Sequence, residues 1–95
     1  KIPVIYTITP FLLRGFETIR NYINHENLNV KMVGAGRDDD YSRDHGFSHF
    51  AGDMPELINL FENIIYASPS TIERMQEDID VMISSKIPFF LSLRR

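Results

Sequence analysis

Four short apolar runs, rich in β-branched and aromatic side chains and separated by segments of a different period, constrain this chain more than its composition does. Val4-Ile5-Tyr6-Thr7-Ile8-Thr9, bounded by Pro3 and Pro10, reads as a buried strand. From Phe11 the period changes: Phe11, Leu12, Phe16, Ile19, Tyr22 and Ile23 recur at spacings of three and four, the mark of one helix face. Thr9 is placed to cap that helix, and Pro10 suits a first turn that needs no amide hydrogen. The polar residues Asn24 to Asn27 supply the stop.

The pattern then repeats. Leu28 to Val33 is a second strand-like run, ended by Gly34-Ala35-Gly36. Asp53 and Pro55 open a short helix carrying Leu57, Ile58, Leu60 and Phe61, with Asp53 as its expected cap. Asn63 to Ala67 is the third strand. Ser70 or Thr71 starts a third helix whose apolar stripe is Ile72, Met75, Ile79, Met82 and Ile83. Glu73 lies in its first turn and Lys86 near its negative end. Ile87 to Leu93 is the last strand. Strands rich in Ile, Val and Phe that alternate with helices imply an α/β fold, an open parallel sheet of about four strands with right-handed helical crossovers.

In such sheets ligands bind beyond the carboxyl ends of the strands. Here those ends are Thr7 to Phe11, Gly34 to His49, Ala67 to Ser70 and Leu93 to Arg95. Arg37 to Gly52 is a polar stretch without periodicity, long for a connection in a compact domain, and such loops are usually functional or mobile. It holds Asp38, Asp39, Asp40, Asp44, His45 and His49. Carboxylates with imidazoles suit a divalent cation, but an acidic loop is more often simply solvated, and the spacing matches no calcium loop. A histidine such as His49 beyond a strand end can donate to a substrate oxygen or shuttle a proton near neutral pH. Phe11 by itself suits core packing, and Arg95 offers a planar fork to a phosphate.

Several classes are excluded. A net charge of −3 lacks the basic excess of a general nucleic-acid binder. With no cysteine there is neither a disulfide nor cysteine-liganded zinc, which suits a cytoplasmic location. No apolar run approaches the roughly 20 residues that span a membrane. Nucleophile-elbow and Walker motifs are missing, and Gly34-Ala35-Gly36 lacks the third glycine of a dinucleotide fingerprint. The 95 residues are expected to form one domain, and an opening at Lys1-Ile2-Pro3 directly before a strand suggests part of something larger.

Five segments, in order, carry a family resemblance. Thr9-Pro10-Phe11-Leu12-Leu13-Arg14-Gly15-Phe16-Glu17-Thr18-Ile19 resembles the S-T-F-L-Q-R-A-Y-D-Q-V segment of deoxyxylulose-phosphate synthases, in the transketolase-like, thiamine-diphosphate-dependent family. Leu28-Asn29-Val30 with the following strand is similar to the strand after that family's helix. Gly46-Phe47-Ser48-His49 is similar to its D-G-x-T-H element, and Asn63 to Ser70 to its P-N-x-x-I-x-x-P-S-D element. Pro88 to Arg95 resembles its P-x-x-x-R-x-x-R strand, with Ser92 in place of the inner arginine.

The resemblance implies the C-terminal part of a pyrimidine-binding domain. By it, Phe11 would stack on the cofactor's aminopyrimidine, with Arg14 of the same segment beside the cofactor. His49 would be the catalytic residue lining the substrate channel, and His45 and Arg95 would bind substrate. His45 stands where the family has aspartate, and Thr71 follows Pro69-Ser70 where the family has it. The family's activating glutamate, in a G-I-A-E-Q segment, and its diphosphate- and magnesium-binding G-D-G…N motif have no counterpart in these residues. The implied function is therefore a fragment or subunit of a transketolase-like transferase, inactive alone. It would work as a homo- or hetero-oligomer with a diphosphate-binding domain or subunit, on a sugar or keto-acid substrate. Two alternatives stand beside it: a non-catalytic interaction module that keeps the fold, and a flavodoxin-like domain with an acidic magnesium-binding loop.

Overall fold

A computed structural model describes residues 1–95, the side chain of His45 excepted. Four strands, β1 (Val4–Ile8), β2 (Lys31–Ala35), β3 (Ile65–Ala67) and β4 (Phe89–Leu93), form one sheet in the order β1-β2-β4-β3. Every pairing is parallel, with Ile5 opposite Met32, Met32 opposite Phe90, and Tyr66 opposite Phe90. The expected parallel α/β sheet with helical crossovers is borne out.

The first connection is a continuous helical segment of changing pitch. It starts as a 3₁₀ turn (Thr9–Gly15), passes through α1 (Phe16–Thr18) and ends in a π-helical stretch (Ile19–Asn24). Helix α2 (Met54–Ile58) is a little over one turn, and α3 (Ile72–Ser84) is the longest helix. Because side chains alternate across a strand, the register sorts the core into two layers. Met32 and Phe90 face Leu12, Ile19, Ile23, Met54, Ile58 and Phe61. Val33, Phe89 and Leu91 face α3 through Met82 and Ile79 on the other side.

Several local expectations are corrected. Strand β1 is not buried: Val4 is 60% and Tyr6 68% exposed, because it lies at the sheet edge and α3 covers only the far half of that face. Thr9 does not cap the helix. Ile8 takes the cap position, while the buried Thr9 hydroxyl donates to the Ala35 carbonyl at 3.2 Å. Asp53 occupies the cap position of α2 without a side-chain bond, whereas Thr71 does cap α3, accepting from the Arg74 amide at 3.1 Å. Tyr22, Ile72 and Ile83 point outward instead of joining the core stripes.

Strand β2 starts later than its apolar run and continues through Gly34 and Ala35, so only Gly36, at φ 82°, makes the turn. Gly34 stays in the strand because Thr9 crosses directly over it: a Cβ there would lie 2.5 Å from Thr9 Oγ1 and 3.1 Å from Thr9 Cα. Strand β3 is likewise shorter than its apolar run. Asn63 is taken up by Asn24, whose side chain accepts from the Asn63 amide (3.0 Å) while the Asn63 amide group donates to the Asn24 carbonyl (2.8 Å).

Lys31 is the least expected core residue. It is 1% exposed, and its ammonium donates to the carbonyls of Ser85 (3.1 Å) and Ile87 (2.7 Å) and to the Ser85 hydroxyl (3.3 Å). Burial pulls its pKa below the ordinary lysine value. The positive charge that meets the carbonyl end of α3 is thus supplied from β2. No helix among the described residues is long and apolar enough to cross a membrane.

Gly34→Ala is expected to lower stability by about 1–3 kcal/mol, the scale of overpacking. That corresponds to a fall of roughly 4–8 °C in Tm per kcal/mol for a chain this size, read by thermal unfolding. An unchanged Tm would show that Thr9 does not press on β2.

Candidate functional site

Three segments converge beyond the carboxyl ends of β1, β2 and β4. The first helical turn carries Phe11 and Arg14; the loop after β2 carries Asp38, Asp40, Tyr41 and His49; the end of β4 carries Arg94 and Arg95. The loop contains two short 3₁₀ turns, Arg43–His45 and Phe47–His49, and touches back on itself through an antiparallel bridge between Asp38 and Ala51.

The rings and guanidinium groups form a ladder. The Phe11 ring meets His49 edge-on, with centroids 5.2 Å apart, and the Arg14 guanidinium lies over Phe11 at 5.3 Å. On its other side His49 packs against Tyr41 at 5.5 Å, and the Arg95 guanidinium lies over Tyr41 at 5.1 Å. Each contact is in the range where quadrupole and cation–π attraction act. Ser48 Oγ is 3.1 Å from His49 Nδ1. Phe11 is half-buried and is not among the buried residues of either core cluster.

A cavity of about 250 Å³ opens between Phe11 and Arg14 on one side and Phe47 and Phe50 on the other, with Ser48 and Asp53 at its polar margin. That is below the roughly 300–1,000 Å³ of pockets that enclose a drug-sized ligand, and it suits a single ring. Arg43 lies over Phe50 at 4.7 Å and braces the far wall. A second apolar hollow, also about 250 Å³ and lined by Ile5, Thr7, Leu12 and Met32, shares Phe11. A larger hollow, about 600 Å³, lies elsewhere, along β3 and α3 near Pro69, Arg74 and Asp78. It is lined by Ile65, Tyr66, Ser70 and Phe89 as well, and contains none of the ladder residues.

The acidic loop is occupied with arginines. Asp40 accepts from the amides of Arg37 (3.0 Å) and Arg95 (2.9 Å) and pairs with Arg94 Nη1 at 2.9 Å. Asp38 pairs with Arg37 Nε at 3.3 Å and Arg94 Nη2 at 3.5 Å. Arg37 is 7% exposed and also donates to the Pro69 carbonyl at 3.0 Å, linking the ends of β2 and β3. Burial alone would raise the pKa of Asp40, but the two amides and Arg94 outweigh it and hold the carboxyl below its ordinary value. Among the described residues no group of three His, Asp or Glu side chains is arranged to hold a metal ion.

Of the residues singled out from the sequence, Phe11, Arg14, His49 and Arg95 fall in one ladder. The side chain of His45 lies outside the described residues. Sequence reading missed Tyr41, the ring that joins His49 to Arg95. Its only signal was an aromatic residue inside a polar loop just after Gly36. Ser92, which stands where the family resemblance has an arginine, is 1% exposed, and its hydroxyl has no hydrogen-bond partner among the described residues.

An open parallel α/β sheet with its side-chain cluster at the carboxyl edge is the class these features define. The whole of this chain matches a solved structure described as "Split gene transketolase, inactive beta4 tetramer", with a TM-score of 0.83 and 26% identity. The match takes in 30% of that chain's length. No protein-family model matches the sequence, and neither does any curated protein. The transketolase-like resemblance carried by the five segments is thus shown in three dimensions, and the chain is a transketolase-like α/β unit.

The Asp40 cluster has a definite pH dependence. Its folded pKa is depressed, so its contribution to stability is complete above the unfolded value of about 4. It is lost as pH falls through the lower folded value. Asp40→Asn should therefore lower Tm at neutral pH and flatten the loss of stability as pH falls below about 4. Acid unfolding curves of the two proteins with the same slope would rule this out.

Proposed function

We propose that this chain forms the wall of a thiamine-diphosphate site against which the aminopyrimidine ring packs, within a transketolase-like transferase. The observation that carries the reading is the half-buried Phe11 ring, set at the carboxyl edge 5.2 Å from His49 and facing a cavity sized for one ring. An aromatic face attracts a flat heterocycle without requiring a hydrogen bond, so the residues present fit the pyrimidine end of the cofactor. When bound, the cofactor supplies the carbanion chemistry of two-carbon transfer, and the protein supplies orientation and electrostatics.

The roles of the chain's own residues follow from their positions. Phe11 orients the ring, and Arg14 shields it from water. With Nδ1 engaged by Ser48, His49 is left with Nε2 to donate to a substrate oxygen or exchange a proton. Arg95, whose charge is held over Tyr41, is a fork for a substrate phosphate, and His45 is the further substrate contact. The diphosphate and its magnesium fall to a diphosphate-binding domain or subunit outside these residues. The functional unit is then an oligomer, acting in the cytoplasm on a sugar or keto acid. The 95 residues read as one part of the pyrimidine-binding domain.

Two measurements test this. In the assembled protein, Phe11→Ala should weaken cofactor binding by about 1–3 kcal/mol, the scale of a lost aromatic stack on a heterocycle. Its effect on Tm should stay below the roughly 3–5 kcal/mol of a core phenylalanine. Intact cofactor affinity with a large loss of stability would make Phe11 a core residue and end the assignment. The purified chain alone, with thiamine diphosphate and magnesium, should show no ketol transfer, and turnover would refute its incompleteness.

A further inference from the structure

We propose that Tyr41 is a positioning residue that sets His49 and Arg95 as one unit, an inference that rests on reading the Phe11–His49 edge as the site. Three observations meet on its ring. On one side it holds the His49 imidazole, at 5.5 Å and an interplanar angle of 57°. On another it carries the Arg95 guanidinium at 5.1 Å. Beneath, it lies against the backbone of Gly36: a Cβ at that residue would sit 2.5 Å from Tyr41 Cε2 and 2.8 Å from Cδ2. Gly36 has φ 82°, so the turn that ends β2 both requires glycine and leaves the shelf on which the tyrosine rests.

The consequence is mechanical. His49 lies on an exposed 3₁₀ turn, and Arg95 follows the last strand with an exposed side chain. Neither has a carboxylate partner for its side chain among the described residues; the Asp40 carboxylate takes the Arg95 amide, not its guanidinium. The tyrosine between them is the group that both side chains share, itself seated at the end of a central strand, while Ser48 Oγ also meets His49 Nδ1. Phe11 then closes the far side of His49. Tyr41 therefore sets the distance between the imidazole and the guanidinium, and with it the length of substrate that can touch both. Its contribution is the ring face and not the phenol oxygen.

The test uses side-chain NMR of the cofactor-free protein, so its result is independent of whether Phe11 binds the cofactor, which titration with thiamine diphosphate decides separately. Tyr41→Phe should keep the cross-peaks between His49 and Phe11. Tyr41→Leu keeps an apolar but smaller side chain without a π face, and should lose them while the backbone amide spectrum stays folded. Arg95→Gln, at an exposed position, should shift the His49 ring resonances through the tyrosine that both contact. That shift should be absent in the Tyr41→Leu background. Persistence of the His49–Phe11 cross-peaks in Tyr41→Leu, their loss in Tyr41→Phe, or a His49 signal indifferent to Arg95→Gln would each overturn the proposal. Should Tyr41→Leu fail to fold, the Arg95→Gln experiment and the Tyr41→Phe retention decide it alone.

Discussion

One carboxylate holds the carboxyl edge together. Asp40 accepts from the Arg37 and Arg95 amides and from the Arg94 guanidinium, so the loop that leaves β2 is fastened to the end of β4. Two left-handed residues, Gly36 at φ 82° and Asp38 at φ 55°, turn the chain between β2 and Asp40, whose carboxylate meets the end of β4. The cost of burying the carboxylate is offset because its donors are two backbone amides just beyond the ends of β2 and β4 and a charged arginine. Tyr41 follows immediately in sequence, so the placement of the tyrosine, and of the rings that lean on it, derives from the same anchor.

What the sequence could show and what it could not divide along the range of the interactions involved. The order of elements and the parallel pairing follow from local apolar period and from handedness, and Val4 to Ile8 and Phe89 to Leu93 read directly. Ends set by partners distant in sequence were not legible. Gly34 looked like a terminator because its reason for being glycine is Thr9, on another element. Asn63 looked like strand because its partner is Asn24. Lys31 read only as part of the second strand run, yet it serves carbonyls at and just beyond the end of a helix that begins some forty residues later.

The site shows the same division. Phe11 and His49 could be picked out only because a family resemblance supplied their context; in isolation one is an ordinary core aromatic and the other a lone loop histidine. The Asp run looked like a cation site because carboxylates are visible in sequence, while Arg94, which pairs with both Asp38 and Asp40, lies at the end of another strand. Burial of β1 was misread for a related reason. An apolar strand pattern records that a face will be covered, without saying by what, and here Val4 and Tyr6 remain open beside an edge strand. Contiguous apolar surface at a strand edge is the type of feature that marks an interaction surface.

The proposed stack on Phe11 must be reconciled with Arg14, whose guanidinium already lies 5.3 Å from the ring centroid. Arg14 is exposed, and a cation–π contact at such a site is worth about 0.5–1 kcal/mol. A stacked base is worth about 1–3 kcal/mol. A heterocycle can therefore displace the arginine or take the opposite face, and in either case the balance favours the stack. His49 meets Phe11 at an interplanar angle of 64°, so its contact is tilted and is not a parallel stack. The two neighbours of the ring thus differ in kind: the imidazole meets it at a steep angle, while the guanidinium covers a face and can yield it.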